Sequence, residues 1–108
     1  MGITTHILDT ATGRPATAVP IRLERQEPDG NWREVGAGVT DDDGRLATLM
    51  PTGPAPHGTY RIHFDTRAYL GADAFFPAVQ IDFVVRDDRH HHVPLLLSPF
   101  GYSTYRGS

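Results

Sequence analysis

Apolar residues recur at every second position in short runs, and turn-forming residues interrupt those runs at close intervals. This pattern restricts the chain to β-structure, because strand side chains alternate between two faces whereas a helix repeats every ~3.6 residues. Val19, Ile21 and Leu23 alternate with Pro20, Arg22 and Glu24, and Tyr60, Ile62 and Phe64 alternate with Arg61, His63 and Asp65. A first strand is expected from Ile3 to Leu8, ended by a turn region from Asp9 to Pro15. Pro28-Asp29-Gly30-Asn31 then joins Val19–Arg25 to Trp32–Val39 as a hairpin. Asp41-Asp42-Asp43-Gly44 turns the chain into Arg45 and a short strand, Leu46–Leu49, before a loop rich in Pro and Gly over Pro51–Gly58. Thr66–Leu70, stopped by Gly71, carries the one helical signal. Gln80–Val85 is a strand, and Asp87-Asp88-Arg89 is a charged turn into a terminal hairpin whose second strand runs to the end. Short strands spaced this way describe an all-β sandwich.

One strand departs from simple alternation. In His90–Ser98, the residues His91, Val93, Leu95 and Leu97 share one face, and His90, His92, Pro94 and Leu96 share the other. The first set is an ordinary core face. The second would be wet in a two-layer sandwich, yet Pro94 and Leu96 are apolar, so a second cover is expected, from another subunit. That arrangement puts His90 and His92 at the edge of an intersubunit surface.

Composition narrows the chemistry further. With 108 residues, the chain supports one domain spanning 1–108. It has no cysteine, and all ten of its Lys+Arg residues are arginine, so thiolate nucleophiles, thiolate zinc sites and lysine Schiff bases are excluded. A net charge of −3 argues against nucleic-acid binding. The N-terminus has neither a basic region nor a long apolar run, and no window approaches a membrane span, so a cytoplasmic chain without membrane contact is expected.

Several motifs together resemble one family. His6-Ile7-Leu8-Asp9 followed by Thr12-Gly13-Arg14-Pro15-Ala16, the turn Thr40-Asp41-Asp42-Asp43-Gly44-Arg45, Phe75-Phe76-Pro77, and His92-Val93-Pro94-Leu95-Leu96-Leu97-Ser98-Pro99 are similar to transthyretin-related proteins in order and spacing. The closing Tyr105-Arg106-Gly107-Ser108 resembles the tetrapeptide of the enzyme branch, the 5-hydroxyisourate hydrolases, rather than that of the hormone carriers. The resemblance covers essentially the whole chain. It implies a transthyretin-like (prealbumin-like) β-sandwich of about eight strands with one short helix, assembled as a homotetramer, a dimer of dimers, with active sites between dimers. It also implies a cofactor-free hydrolase that opens the six-membered ring of 5-hydroxyisourate in urate (purine) catabolism. By motif position, the catalytic set is His6, Arg45, His92 and Ser108, and Arg45, Tyr105, Arg106 and Ser108 bind substrate.

The residue types suit that reaction. Amide hydrolysis needs an activated water and a stabilised oxyanion. An imidazole can take the water proton near neutrality, which makes His92 the expected base and His6 its partner or the acid to the leaving nitrogen. The planar, permanently charged Arg45 can grip a urate-like anion. Ser108 offers a hydroxyl and the terminal carboxylate. His90-His91-His92 also imitates a metal tract; His6, His90 and His92 form the alternative, a three-histidine zinc site, although the expectation is no metal. His91 stands where the family commonly has an aromatic residue, and His63 where it has an aliphatic one. Two other functions remain: a carrier of an aromatic ligand in a central channel, and a passive structural module.

Overall fold

The computed structural model describes residues 2–50 and 53–107. These residues form nine strands and one short helix: β1 (Ile3–Asp9), β2 (Arg14–Pro15), β3 (Pro20–Gln26), β4 (Trp32–Val39), β5 (Arg45–Met50), β6 (Gly58–Phe64), α1 (Arg67–Leu70), β7 (Val79–Val85), β8 (His91–Ser98) and β9 (Gly101–Thr104). The alternation places its apolar residues on the inner faces of two sheets, as the sequence pattern requires. One sheet runs β2-β1-β8-β9 with β5 also paired to β1, and the other runs β4-β3-β6-β7. Ile3, Ile7, Leu95 and Leu97 from the first sheet meet Leu23, Ile62 and Phe64 from the second, all essentially inaccessible to water. Burying each such side chain contributes about 1.5–3 kcal/mol. No helix is long and apolar enough to cross a membrane among the described residues.

Nine strands accord with the expectation of about eight; the extra one is Arg14–Pro15, within a stretch that reads as turn, which pairs with Leu8 and Asp9. The terminal hairpin also ends sooner than its pattern suggests. β9 stops at Thr104, and the chain rejoins the sheet only where Gly107 bridges His92. The helix begins at Arg67, with Thr66 at its N-cap position. The Thr66 hydroxyl bonds not to the helix but to the Phe76 carbonyl, and the Arg67 N–H donates to Pro77 O at 3.0 Å. These bonds fasten the helix to the Phe75-Phe76-Pro77 segment.

The key topological fact is that β1 and β8 lie side by side and parallel. Parallel neighbours require a long connection, and here nearly the whole chain supplies it. The two faces of β8 divide as the sequence suggests, with His91, Val93, Leu95 and Leu97 buried against the core. On the other face Pro94 is already buried within this chain, while Leu96 and its β1 partner Leu8 are half-buried.

Candidate active site

The site is assembled by strand register. In the parallel β1–β8 pair, Thr4 stands opposite His92 and His6 opposite Pro94; in the antiparallel β1–β5 pair, His6 stands opposite Arg45. Directly opposed strand residues lie about 4.5–5.5 Å apart, and diagonal neighbours about 7–8 Å. Because Ile3, Thr5 and Ile7 face inward, Thr4 and His6 share the outer face of the sheet with Arg45 and His92. Three remote segments thus deliver two imidazoles and one guanidinium to a single patch.

The motifs around these residues hold the strands in place. Asp41 Oδ1 accepts the N–H groups of Asp43 and Arg45 at 2.9 and 3.0 Å, which shapes the turn directly before Arg45. Gly44 within it has φ 72°, and a Cβ there would lie 2.6 Å from Ile7 O, so only glycine suits both its conformation and its close approach to β1. Its carbonyl accepts the Ile7 N–H at 2.8 Å. Buried Thr40 accepts the Val19 N–H and donates to Ala16 O, locking the turn to the Arg14-Pro15-Ala16 segment. Asp9, which closes the first motif, accepts N–H bonds from Ala11 and Thr12 and the Tyr69 hydroxyl at 2.6 Å. Burial works against its charge, yet these hydrogen bonds hold its carboxyl below the usual aspartate range. Asp9 is therefore a structural pin between β1 and the helix.

Thr4 is the functional residue that sequence reasoning missed. Its Oγ1 lies 2.7 Å from His90 Nε2 and 2.8 Å from His92 Nδ1, so one hydroxyl joins two imidazoles. No sequence motif marks it, because Thr4 faces His92 only through the parallel pairing of β1 with β8. With Nδ1 engaged, His92 has Nε2 left for substrate or water. Burial, followed by repulsion from His90, His6 and Arg45, holds the His92 imidazole below its ordinary pKa, which favours its neutral form with a lone pair to offer. Gly107 lies against the same ring. Its N–H donates to His92 O at 2.8 Å, and a Cβ on it would come within 2.5 Å of His92 Cδ2.

Thr4, Arg45, Ala47, His90 and His92 line an open cleft of about 280 Å³. His6 flanks this cleft through its pairing with Arg45 and is not one of its lining residues. Exposed Tyr105 and Arg106 lie elsewhere, in a cleft of about 240 Å³ bordered by Phe83, His91, His92 and Val93. Arg106 reaches a further recess beside His90 and Gly107. Ser108 lies outside the described residues. As to the three-histidine zinc alternative, no group of three potential ligands able to hold a metal occurs among the described residues.

Two other histidines are accounted for differently. His63 Nε2 meets Glu24 Oε1 at 2.5 Å on the opposite sheet. His91 is buried, with Nδ1 unpartnered and Nε2 3.9 Å from Asp87.

Known proteins share the sequence pattern and the fold of this chain. The family model described as HIUase/Transthyretin family matches residues 3–107. The 5-hydroxyisourate hydrolase of Salmonella dublin is 46% identical over 98% of this chain and 80% of its own. The structure of Klebsiella pneumoniae 5-hydroxyisourate hydrolase superposes with a TM-score of 0.86 at 40% identity, covering 100% of both chains. Sea bream transthyretin in complex with thyroxine superposes with a TM-score of 0.91 at 34% identity, covering 99% of this chain and 95% of that one.

Proposed function

The chain belongs to the HIUase/Transthyretin family, and from that premise we propose that it is a 5-hydroxyisourate hydrolase. It opens the six-membered ring of 5-hydroxyisourate with water, giving 2-oxo-4-hydroxy-4-carboxy-5-ureidoimidazoline in urate breakdown. The observation that carries this reading is the register placing Arg45 opposite His6 and His92 on the adjoining strand, on one face of the sheet. His92 Nε2 takes a proton from water, and the resulting hydroxide attacks the ring carbonyl. Arg45 binds the anionic substrate and the oxyanion through paired N–H donors. His6 delivers a proton to the leaving nitrogen. Each of these steps uses only side chains and water.

Tyr105, Arg106 and Ser108 complete the substrate pocket in this reading. In a single chain, Tyr105 and Arg106 lie beyond His92 from the Arg45 cleft, so the complete pocket needs a neighbouring protomer to join the two. We accordingly propose a homotetramer, a dimer of dimers, of one-domain chains spanning 1–108, in the cytoplasm. Exposed aromatic residues support further assembly: Phe75 packs edge-on to Phe76 and tilts toward Phe100, and Phe76 meets Tyr102 edge-on. Light scattering after size exclusion tests the assembly, and a monomer at micromolar concentration overturns it.

A carrier reading has one observation in its favour, the superposition on a thyroxine-bound transthyretin. The cleft opposes it, because its polar lining of Thr4, Arg45, His90 and His92 suits a small anion better than an apolar ligand. One experiment separates the readings. 5-Hydroxyisourate is generated in situ by urate oxidase and its ultraviolet decay is followed with wild type, with His92→Ala and with a chain lacking residues 106–108. Accelerated decay by wild type alone supports the hydrolase; thyroxine binding with unchanged decay supports the carrier.

A further inference from the structure

We propose that the Thr4 hydroxyl relays a proton between His92 and His90, so that the proton His92 removes from water comes to rest on His90 at the rim of the cleft. This inference deepens the hydrolase reading and rests on it. The geometry is a chain of three heavy atoms: His92 Nδ1 is 2.8 Å from Thr4 Oγ1, which is 2.7 Å from His90 Nε2. The two rings lie with centroids 6.2 Å apart, too far for a direct hydrogen bond between them.

A hydroxyl has one hydrogen and accepts through its lone pairs. With both rings neutral and the Thr4 hydrogen held between them, the two bonds can form together in two ways. In the first, His92 Nδ1–H donates to Thr4 and Thr4 donates to His90 Nε2, which leaves the His92 Nε2 lone pair free to act as the base. In the second, both bonds reverse, and His92 carries its hydrogen on Nε2. Thr4 thus couples the tautomer of the reacting ring to that of the outer one.

The catalytic step follows from the first state. As water attacks the carbonyl, its proton goes to His92 Nε2, the Nδ1 hydrogen passes to Thr4 Oγ1, and the Thr4 hydrogen passes to His90 Nε2. His92 ends neutral as the Nε2–H tautomer, His90 ends as the cation, and the matching negative charge sits on the substrate oxygen beside Arg45. Collapse of that intermediate draws a proton from His6 to the leaving nitrogen. His90 then releases its extra proton to bulk water and His6 regains one, so the balance closes.

The direction of transfer has a physical cause. His92 is half-buried and faces His6 and Arg45, so a second positive charge there is costly. His90 is exposed, shares one recess with Asp88 and another with Arg89 and Arg106, and can be hydrated when charged. Thr4 and His90 are positioning residues in this scheme, since neither touches the reacting atoms.

The test uses full-length T4V, T4S and H90Q on 5-hydroxyisourate generated in situ. Valine has the shape of threonine without the hydroxyl; glutamine can bond to Thr4 yet cannot take up a proton. A general acid–base group is worth about 10²–10⁴ in rate, and the imidazole base itself survives in these variants. T4V and H90Q should each lose about tenfold or more in kcat with KM little changed, whereas T4S restores most of the rate. The rate in mixtures of light and heavy water should bow downward for wild type, as expected for several protons in flight, and become linear in T4V. Thermal unfolding at the wild-type temperature shows that T4V is folded. A T4V enzyme with wild-type kcat, a T4S enzyme as slow as T4V, or an unaffected H90Q enzyme overturns the relay alone. A wild-type chain that leaves the decay unaccelerated overturns the hydrolase reading and the relay together.

Discussion

Gly107→Ala adds a single methyl group at the point where the C-terminal tail meets the reacting imidazole. Gly107 does not have a left-handed φ, so alanine suits its backbone and the perturbation is purely steric. The new Cβ would fall 2.5 Å from His92 Cδ2, 3.1 Å from Cγ and 3.2 Å from Cβ. Carbon atoms at rest sit about 3.5–4.0 Å apart, so the overlap with the ring edge is about 1 Å. Two escapes exist. The imidazole can turn away, breaking its bond to Thr4, or the tail can lift, breaking the 2.8 Å bond from Gly107 N–H to His92 O. Either costs about 1 kcal/mol for the lost hydrogen bond, and overpacking in a tighter site costs about 1–3 kcal/mol. The tail lies outside the core, so the unfolding temperature should hardly move. The rate is different, because a displacement of about 1 Å in a reacting group can cost about 10²-fold. The decay of 5-hydroxyisourate measured beside thermal unfolding should show a 10- to 100-fold loss, by this reasoning, in a fully folded protein. Wild-type kcat in this variant would refute the claim that the tail fixes the His92 ring.

His92→Ala and Arg45→Gln should each lower kcat/KM by about 10²-fold or more while the protein still unfolds cooperatively, because both side chains face the cleft rather than the core. The acid limb of the pH–rate profile should lie below the ordinary histidine value of about 6.5, since burial and the neighbouring cations lower the His92 pKa and the neutral ring is the active form. The same lowering makes the unfolded chain bind the proton first, so His92 contributes stability above pH ~6.5 that is lost as pH falls through that value toward the folded pKa; an acid limb above it contradicts the assignment. Gly44→Ala should destabilise the fold by about 1–3 kcal/mol in urea titration, because it forces an L-residue to φ 72° with its Cβ 2.6 Å from Ile7 O. Leu95→Ala, in the dry layer between the sheets, should cost about 2–5 kcal/mol in the same assay.

The sequence by itself determined the layers. Period-two alternation fixes which side chains turn inward, and that is why Val93, Leu95 and Leu97 are buried as their spacing requires. It also determined the chemical inventory of the site, since a chain without Cys or Lys must work through His, Arg, hydroxyls and carboxylates. Local turn chemistry was equally legible, because Asp41-Asp42-Asp43-Gly44 closes through hydrogen bonds among near neighbours. Partnership across the sheet was not. Periodicity says which face a residue occupies but is silent on which strand lies beside it, and the parallel pairing of the first and last long strands is what sets Thr4 against His92. The two-residue β2, which pairs locally with Leu8 and Asp9, is too short to show any alternation, and the early end of β9 goes with a bridge from Gly107 to the remote His92. Only the tertiary structure made a threonine with no motif of its own the bridge between two histidines, since register is decided by how whole sheets pack and not by any single segment.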